Sequence, residues 1–324
     1  MERLFGIEKE LRERMPAIEI PPVIGRFAPS PTGPLHHGSL VAALGSFALA
    51  RRAQGRWLLR IEDIDAPRVV PGMADQLLRT LEALGFEWDG PVLWQSARAD
   101  RYAAALDRLV AAGQIYPCGC SRKELQQVAS APLAADGGLV YPGTCRNGLA
   151  PGKQPRAFRV RVDDAAIEFV DAICGAQCER LAEGTGDFVL RRADGLFAYQ
   201  LAVVVDDAES GVNQVVRGAD LLTSTPRQIF LQQQLGYPIP EYAHLPLVID
   251  RSGNKLSKRD AAVSIGDGRD LAKAGVALLV AALRFLGQQP PPELARASNR
   301  EVLGWTCANF DLARVPTRAA PFEL

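Results

Sequence analysis

Val23 to Phe27 is a short apolar run, Gly38 to Ala53 carries Leu40, Leu44 and Phe47 at helical spacing, and Trp57 to Ile61 is apolar again. This change of period predicts a strand, a helix and a second strand. A crossover helix makes its two strands parallel, so their carboxyl ends, near Ala28 and Glu62, share the sheet edge where open α/β folds bind ligands. Helical spacing continues over Met73 to Leu84 and Asp100 to Ala112 and stops at Ile115. Residues 116–190 hold a cysteine cluster, many Gly and Pro, and a short strand at Phe158 to Val162, which together read as an insertion. Strands are predicted again over Phe197 to Val205, Val212 to Val216 and Leu245 to Ile249, then a polar loop at Arg251 to Asp260. A helix at Leu271 to Leu286 precedes a proline break and weaker helical signals. The expected plan is an extension (1–22), the first half of a parallel α/β domain (23–115), the insertion (116–190), the second half (191–265) and a helical C-terminal region (266–324).

A length of 324 residues fits that plan, because it exceeds what one hydrophobic core usually serves. With 48% hydrophobic and 23% charged residues, the chain is not a disordered tail. The 37 basic and 37 acidic residues cancel, so any polyanion has to be held by a local basic surface; Arg51, Arg52 and Arg56 are candidates. The apolar stretches near Ala198 to Val205 and Gly275 to Leu283 fall short of the ~18 to 20 residues that span a bilayer, so no membrane partner is expected. The N-terminus lacks the continuous apolar core of a secretory signal, and a cytoplasmic location is expected. Six cysteines are too sparse for a disulfide scaffold, and the bunching of Cys118, Cys120 and Cys145 suits a metal. A structural zinc normally closes with four ligands, and Cys174, Cys178 or a water are open as the fourth. Buried free thiols are the plainer alternative.

Two motifs point to chemistry. Arg26-Phe-Ala-Pro-Ser-Pro-Thr-Gly-Pro-Leu-His-His-Gly-Ser39 sets prolines and glycines between a strand end and a helix start. Helix N-termini present N–H groups and partial positive charge to phosphate, Gly38 permits close approach, and His36 can donate to a phosphoryl oxygen. A P-loop is excluded, since Ser39 and Leu40 stand where it needs Lys and then Ser or Thr. The plainer reading is a tight turn with a Ser39 helix cap. The second motif, Lys255-Leu-Ser-Lys-Arg259, puts cations on a polar loop that can close on a triphosphate.

Together the pair resembles the HIGH and KMSKS signatures of class I aminoacyl-tRNA synthetases, and LLRIEDID, FAYQLAVVVDD and VVRGAD are similar to their glutamyl branch. The resemblance implies an α/β fold: the Rossmann-type parallel sheet of class I synthetases with a zinc-containing insertion and a short helical C-terminal region. Residues 260–324 are fewer than the anticodon-binding region of full glutamyl-tRNA synthetases, which resembles a truncated branch that attaches glutamate to queuosine in tRNA(Asp).

Carried over, the family's glutamate site falls on Arg26, Phe27, Ala28, Pro29, Ser30, Glu62, Tyr199 and Arg217. The charges suit the substrate: the arginines match carboxylates and Glu62 matches the ammonium. The resemblance further implies ATP binding by His36, Gly38, Ser39 and Lys258, catalytic roles for His36, Lys255 and Lys258, and Mg2+ with ATP. It makes Tyr141 the fourth Zn2+ ligand beside Cys118, Cys120 and Cys145. Its implied partners are ATP, L-glutamate and queuosine-containing tRNA(Asp). Two departures stand out: Ser39 replaces the second histidine of HIGH and His37 its isoleucine. The alternatives are a synthetase charging a tRNA 3′ end, a cofactor nucleotidyltransferase, and a noncatalytic tRNA-binding module.

Overall fold

The computed structural model describes residues 21–127, 139–250, 265 and 271–324. Nearly all of the expected extension, and the KLSKR segment with Lys255 and Lys258, lie outside them. β1 (Ile24–Phe27), α1 (His37–Arg52) and β2 (Arg56–Ile61) form the expected parallel unit, with Phe27 opposite Leu59. After α2 (Met73–Ala83), β3 (Leu93–Trp94) pairs with β2, and α3 (Ala99–Ala111) follows. β4 (Ile115–Cys118), β5 (Ala157–Val160) and β8 (Val189–Arg191) make a separate antiparallel sheet. Between β5 and β8, β6 (Ala166–Asp171) and β7 (Gly175–Arg180) form a hairpin.

The second half supplies α4 (Tyr199–Glu209), β9 (Gln214–Gly218), α5 (Thr225–Leu235) and β10 (Glu241–Leu245). β10 is parallel to β9 and, on its other side, to β6, with Tyr242 opposite Asp171. The Asn213 side chain accepts the Ile24 N–H at 2.8 Å, and the Asn213 main-chain N–H donates to the Ile24 carbonyl at 3.1 Å, setting β9 alongside β1. The strands therefore run in the order 3-2-1-9-10-6-7, and a hairpin from within residues 116–190 forms one edge.

Two expected strands differ. Residues 197–205 were expected to be extended, but Tyr199–Glu209 is helical; its apolar run is buried on nearly every side, and such a run carries no period that separates strand from helix. The strand expected at Leu245 to Ile249 ends at Leu245, because Pro246 has no N–H for the ladder. Val248–Ile249 (β11) pairs instead with a later strand.

The apolar core lies in two layers. On one face, α1 packs with α6 (Leu271–Phe285) and α7 (Asn299–Asn309), burying Leu40, Leu44, Leu279 and Leu303. The opposite face holds α3, α4 and α5, with Leu106, Val203, Val205 and Ile229. Gly45 lets α1 press onto β10, since a Cβ there would stand 2.6 Å from Leu245 Cδ1. β12 (Ala320–Pro321) pairs with β11, and the next residue, Phe322, stacks on His37 at 4.2 Å between ring centroids.

Arg51, Arg52 and Arg56 sit at the far end of α1 and the start of β2, on the opposite sheet edge from Ala28 and Glu62. Arg51 donates to Asp89 at 2.7 Å and Arg52 to the Ala308 carbonyl at 3.0 Å. Arg51 and Arg52 thus brace the fold, and the candidate basic surface with Arg56 lies away from the sheet edge that holds Ala28 and Glu62.

Candidate active site

The carboxyl ends of β1, β2 and β9 and the start of α4 converge. Glu62 N–H donates to the Pro29 carbonyl at 3.0 Å, which draws the proline-rich turn after β1 onto the end of β2. Along β1 the side chains alternate. Phe27 turns into the core beside Trp57, whereas Arg26 turns to the other face and is only 4% exposed. Ala28 and Ser30 are half-buried in the turn, and Pro29 is buried.

Arg26 meets Asp207 of α4, with Nε 3.2 Å from Oδ1 and Nη2 3.4 Å from Oδ2. Arg60 donates to the same Oδ1 at 2.5 Å and to Glu62 Oε1 at 3.1 Å. Behind them Asp206 takes Tyr102, Gln95 and Arg98. Burial opposes ionisation of Asp207, but Arg26 and Arg60 outweigh it and hold its carboxyl below the usual range. Glu62 goes the other way: burial raises its pKa by more than Arg60 and Arg26 lower it. A further cation beside Glu62 would therefore be stabilising.

Tyr199 opens α4. Its phenol pKa is raised by burial and by Glu62, against the pull of Arg217 and Arg26, so the four side chains share one electrostatic neighbourhood. Arg217, on β9, is 5% exposed; its Nη1 is buried with no hydrogen-bond partner among the described residues. The structure thus brings Arg26, Glu62, Tyr199 and Arg217 together. Sequence reasoning left Asp206 and Asp207 without roles, although a pair of acids closing an apolar run is a usable signal.

His36 is the N-cap of α1: its Nδ1 accepts the Ser39 N–H at 3.2 Å, and its Nε2 lies 3.1 Å from Ser39 Oγ. With Nδ1 accepting, a neutral ring carries its proton on Nε2 and donates it to Ser39 Oγ. The expected Ser39 cap is thus supplied by the histidine. His37 is buried against Phe322, so the position held by isoleucine in HIGH is again used for packing.

A second cluster lies on the β4–β5–β8 sheet. The Sγ atoms of Cys118, Cys120 and Cys145 lie within 4.8 Å of one another, with 3.6 Å between Cys120 and Cys145. Tyr141 Oη is 3.4 Å from Cys118 Sγ and 3.6 Å from Cys120 Sγ. Bonds of ~2.3 Å to sulfur and ~2.0 Å to oxygen in a tetrahedron give ligand separations of about 3.5 to 3.8 Å, so these donors fit a zinc-sized ion. Gly186 allows the arrangement: its φ is +68°, and a Cβ there would meet the Tyr141 carbonyl at 2.5 Å. Arg159 donates to Cys118 Sγ at 3.3 Å and lies 3.7 Å over the Tyr141 ring, offsetting thiolate charge. Burial pushes the Cys120 thiol up to about 11, whereas at Cys118 hydrogen bonds from Tyr141, the Cys120 N–H and Arg159 outweigh burial and lower it. Cys174 and Cys178 lie on the β6–β7 hairpin and are not part of this cluster.

The fold and site define the class: the chain belongs to the class I tRNA synthetases for glutamate and glutamine (E and Q), whose catalytic domain matches residues 22–303. Within it, the chain is 63% identical to the Glutamyl-Q tRNA(Asp) synthetase of Geobacter sulfurreducens, over 95% of this chain and 98% of that protein. It is 57% identical to the Glutamyl-Q tRNA(Asp) synthetase of Aromatoleum aromaticum, over 91% of each. Among solved structures it resembles a glutamate tRNA ligase from Elizabethkingia meningosepticum in complex with its amino acid. That match has a TM-score of 0.77 and 29% identity, covering 93% of this chain and 67% of the other. No helix among the described residues is long and apolar enough to cross a membrane.

Proposed function

We propose that the chain activates L-glutamate with ATP and transfers the glutamyl group to queuosine in the anticodon of tRNA(Asp), in the cytoplasm. The observation that carries this reading is the meeting of Arg26, Glu62, Tyr199 and Arg217 at one sheet edge, the charge complement of a zwitterionic dicarboxylic acid. The identity to Glutamyl-Q tRNA(Asp) synthetases along nearly their whole length supports the acceptor.

In the first step a glutamate α-carboxylate oxygen attacks the α-phosphorus of ATP, and the bond to pyrophosphate breaks. In the second, a hydroxyl of the queuosine cyclopentenediol attacks the acyl carbon and AMP leaves. No covalent enzyme nucleophile is needed. Arg26 and Arg217 hold carboxylates, Glu62 takes the ammonium, and Tyr199 supplies a wall and a hydroxyl; Phe27, Ala28, Pro29 and Ser30 line the turn. His36 Nε2 donates to a phosphoryl oxygen, while Gly38 and Ser39 bring main-chain N–H groups close to the phosphates. Lys255 and Lys258 neutralise the leaving pyrophosphate. Mg2+ bound with ATP supplies further charge neutralisation. Cys118, Cys120, Cys145 and Tyr141 would hold zinc, which would organise the local backbone.

The test is transfer of labelled glutamate to tRNA(Asp) from cells with and without queuosine. Incorporation should require queuosine and be lost when periodate first destroys the free cis-diol. Charging of tRNA(Glu) at its 3′ end with equal efficiency would instead establish the synthetase alternative. A second expected result concerns Lys258→Ala: ATP–pyrophosphate exchange should fall by about 10²- to 10³-fold, with glutamate binding and the thermal melt retained. Unchanged exchange would remove Lys258 from the mechanism.

A further inference from the structure

The amino-acid site reaches across the sheet to two residues with no assigned role. His244, on β10, and Asp171, at the end of β6, are each 1% exposed. His244 Nδ1 lies 2.6 Å from Asp171 Oδ2. The other carboxylate oxygen accepts main-chain N–H groups of Ile173 at 3.0 Å, Cys174 at 2.8 Å and His244 at 3.2 Å. An ionised carboxylate held this way only accepts, so the His244 proton sits on Nδ1 and Nε2 presents a lone pair. Arg217 Nε donates to that lone pair at 3.1 Å, and Arg217 Nη2 donates to Thr225 Oγ1 at 2.9 Å. One edge of the guanidinium is thus fixed by β10 and α5, and Nη1 is left without a partner among the described residues.

We propose that Asp171 and His244 are positioning residues that set the tautomer and angle of the acceptor for Arg217, presenting its remaining nitrogen to a carboxylate of the amino-acid substrate. This rests on Arg217 being a glutamate ligand, as the reading above has it. An arginine aims a usable fork only when its plane is fixed in advance, and preorganisation matters most for a charge that has to leave water on binding. Titration agrees with the geometry: burial and then Arg217 lower the His244 pKa against the pull of Asp171, so the ring stays neutral. The His244 contact and the main-chain N–H groups overcome burial and hold Asp171 down to about 2.

Glutamate-dependent ATP–pyrophosphate exchange tests the pair. His244→Phe keeps the ring and removes the acceptor; it should raise the glutamate KM about tenfold or more and leave the ATP KM within about twofold. His244→Gln offers an amide oxygen to Arg217 Nε and should recover most of the loss. Asp171→Asn donates to Nδ1, forces the proton onto Nε2 against the Arg217 N–H, and should also raise the glutamate KM in a protein that melts cooperatively. In an Arg217→Ala background, His244→Phe should add nothing, because the interaction it removes is already gone. Wild-type glutamate KM in both His244→Phe and Asp171→Asn, or a loss that adds fully to that of Arg217→Ala, would overturn the assignment. Absence of glutamate exchange in the wild-type protein would overturn the proposed substrate and this inference with it.

Discussion

Asp207→Asn should destabilise the protein by about 3 to 5 kcal/mol and raise the glutamate KM, because one carboxylate serves two buried arginines. The amide keeps one acceptor but removes the countercharge, leaving Arg26 and Arg60 side by side with only Glu62 and Asp206 to balance them. Arg26 would then turn away from the orientation in which Asp207 holds it. In a chain of this length the loss amounts to roughly 4 to 7 °C in melting temperature. Differential scanning calorimetry with exchange kinetics checks both parts, and a melt within about 1 °C of wild type would show that the arginines find other partners. The sign of the acid response follows. Asp207 and Asp171 have depressed folded pKa values, so the stability they contribute is present above pH ~4 and is lost as pH falls through the folded values, about 2 for Asp171. Asp207→Asn should therefore flatten the acid limb of the stability curve.

The other large effect concerns the metal. Protein purified without chelator should carry about one zinc, and Cys145→Ser should lose it and unfold the region around β4 and β5. Structural zinc sites contribute folding energy on the scale of roughly 10 kcal/mol. Elemental analysis and hydrogen exchange across residues 115–160 measure this. Glutamate exchange in a zinc-depleted sample should persist within about threefold, because four protein donors would leave a bound ion no open position for chemistry. Tyr141→Phe should weaken retention less than Cys145→Ser, and zinc content unaffected by Cys145→Ser would remove the cluster from metal binding.

The first parallel unit is legible in the sequence because Leu40, Leu44 and Phe47 recur at helical spacing and β1 and β2 are short apolar runs between turn residues. Arg26 and Glu62 stand out for the same reason, as charges in or just beyond strands. Their partners are not legible: Asp207 lies 181 positions from Arg26, and nothing local marks which charge an arginine will meet. The helical state of Tyr199–Glu209 is hidden by its burial, since a segment covered on all sides has no polar stripe to set its period. The β6–β7 hairpin is also hidden, because its place beside β10 is a tertiary pairing made from within a segment that reads as a separate insertion. His244 could be singled out only as a polar residue in a buried strand, and its function depends on neighbours from three other elements.

The stack of Phe322 on His37 also bears on the timing of synthesis. The two rings enter the growing chain roughly 285 residues apart, which at about 5 to 20 residues per second is on the order of tens of seconds. Throughout that interval His37, at the start of α1, lacks the aromatic ring that covers it in the finished protein. The turn before α1, made well before Phe322, therefore reaches its final packing only when that ring arrives.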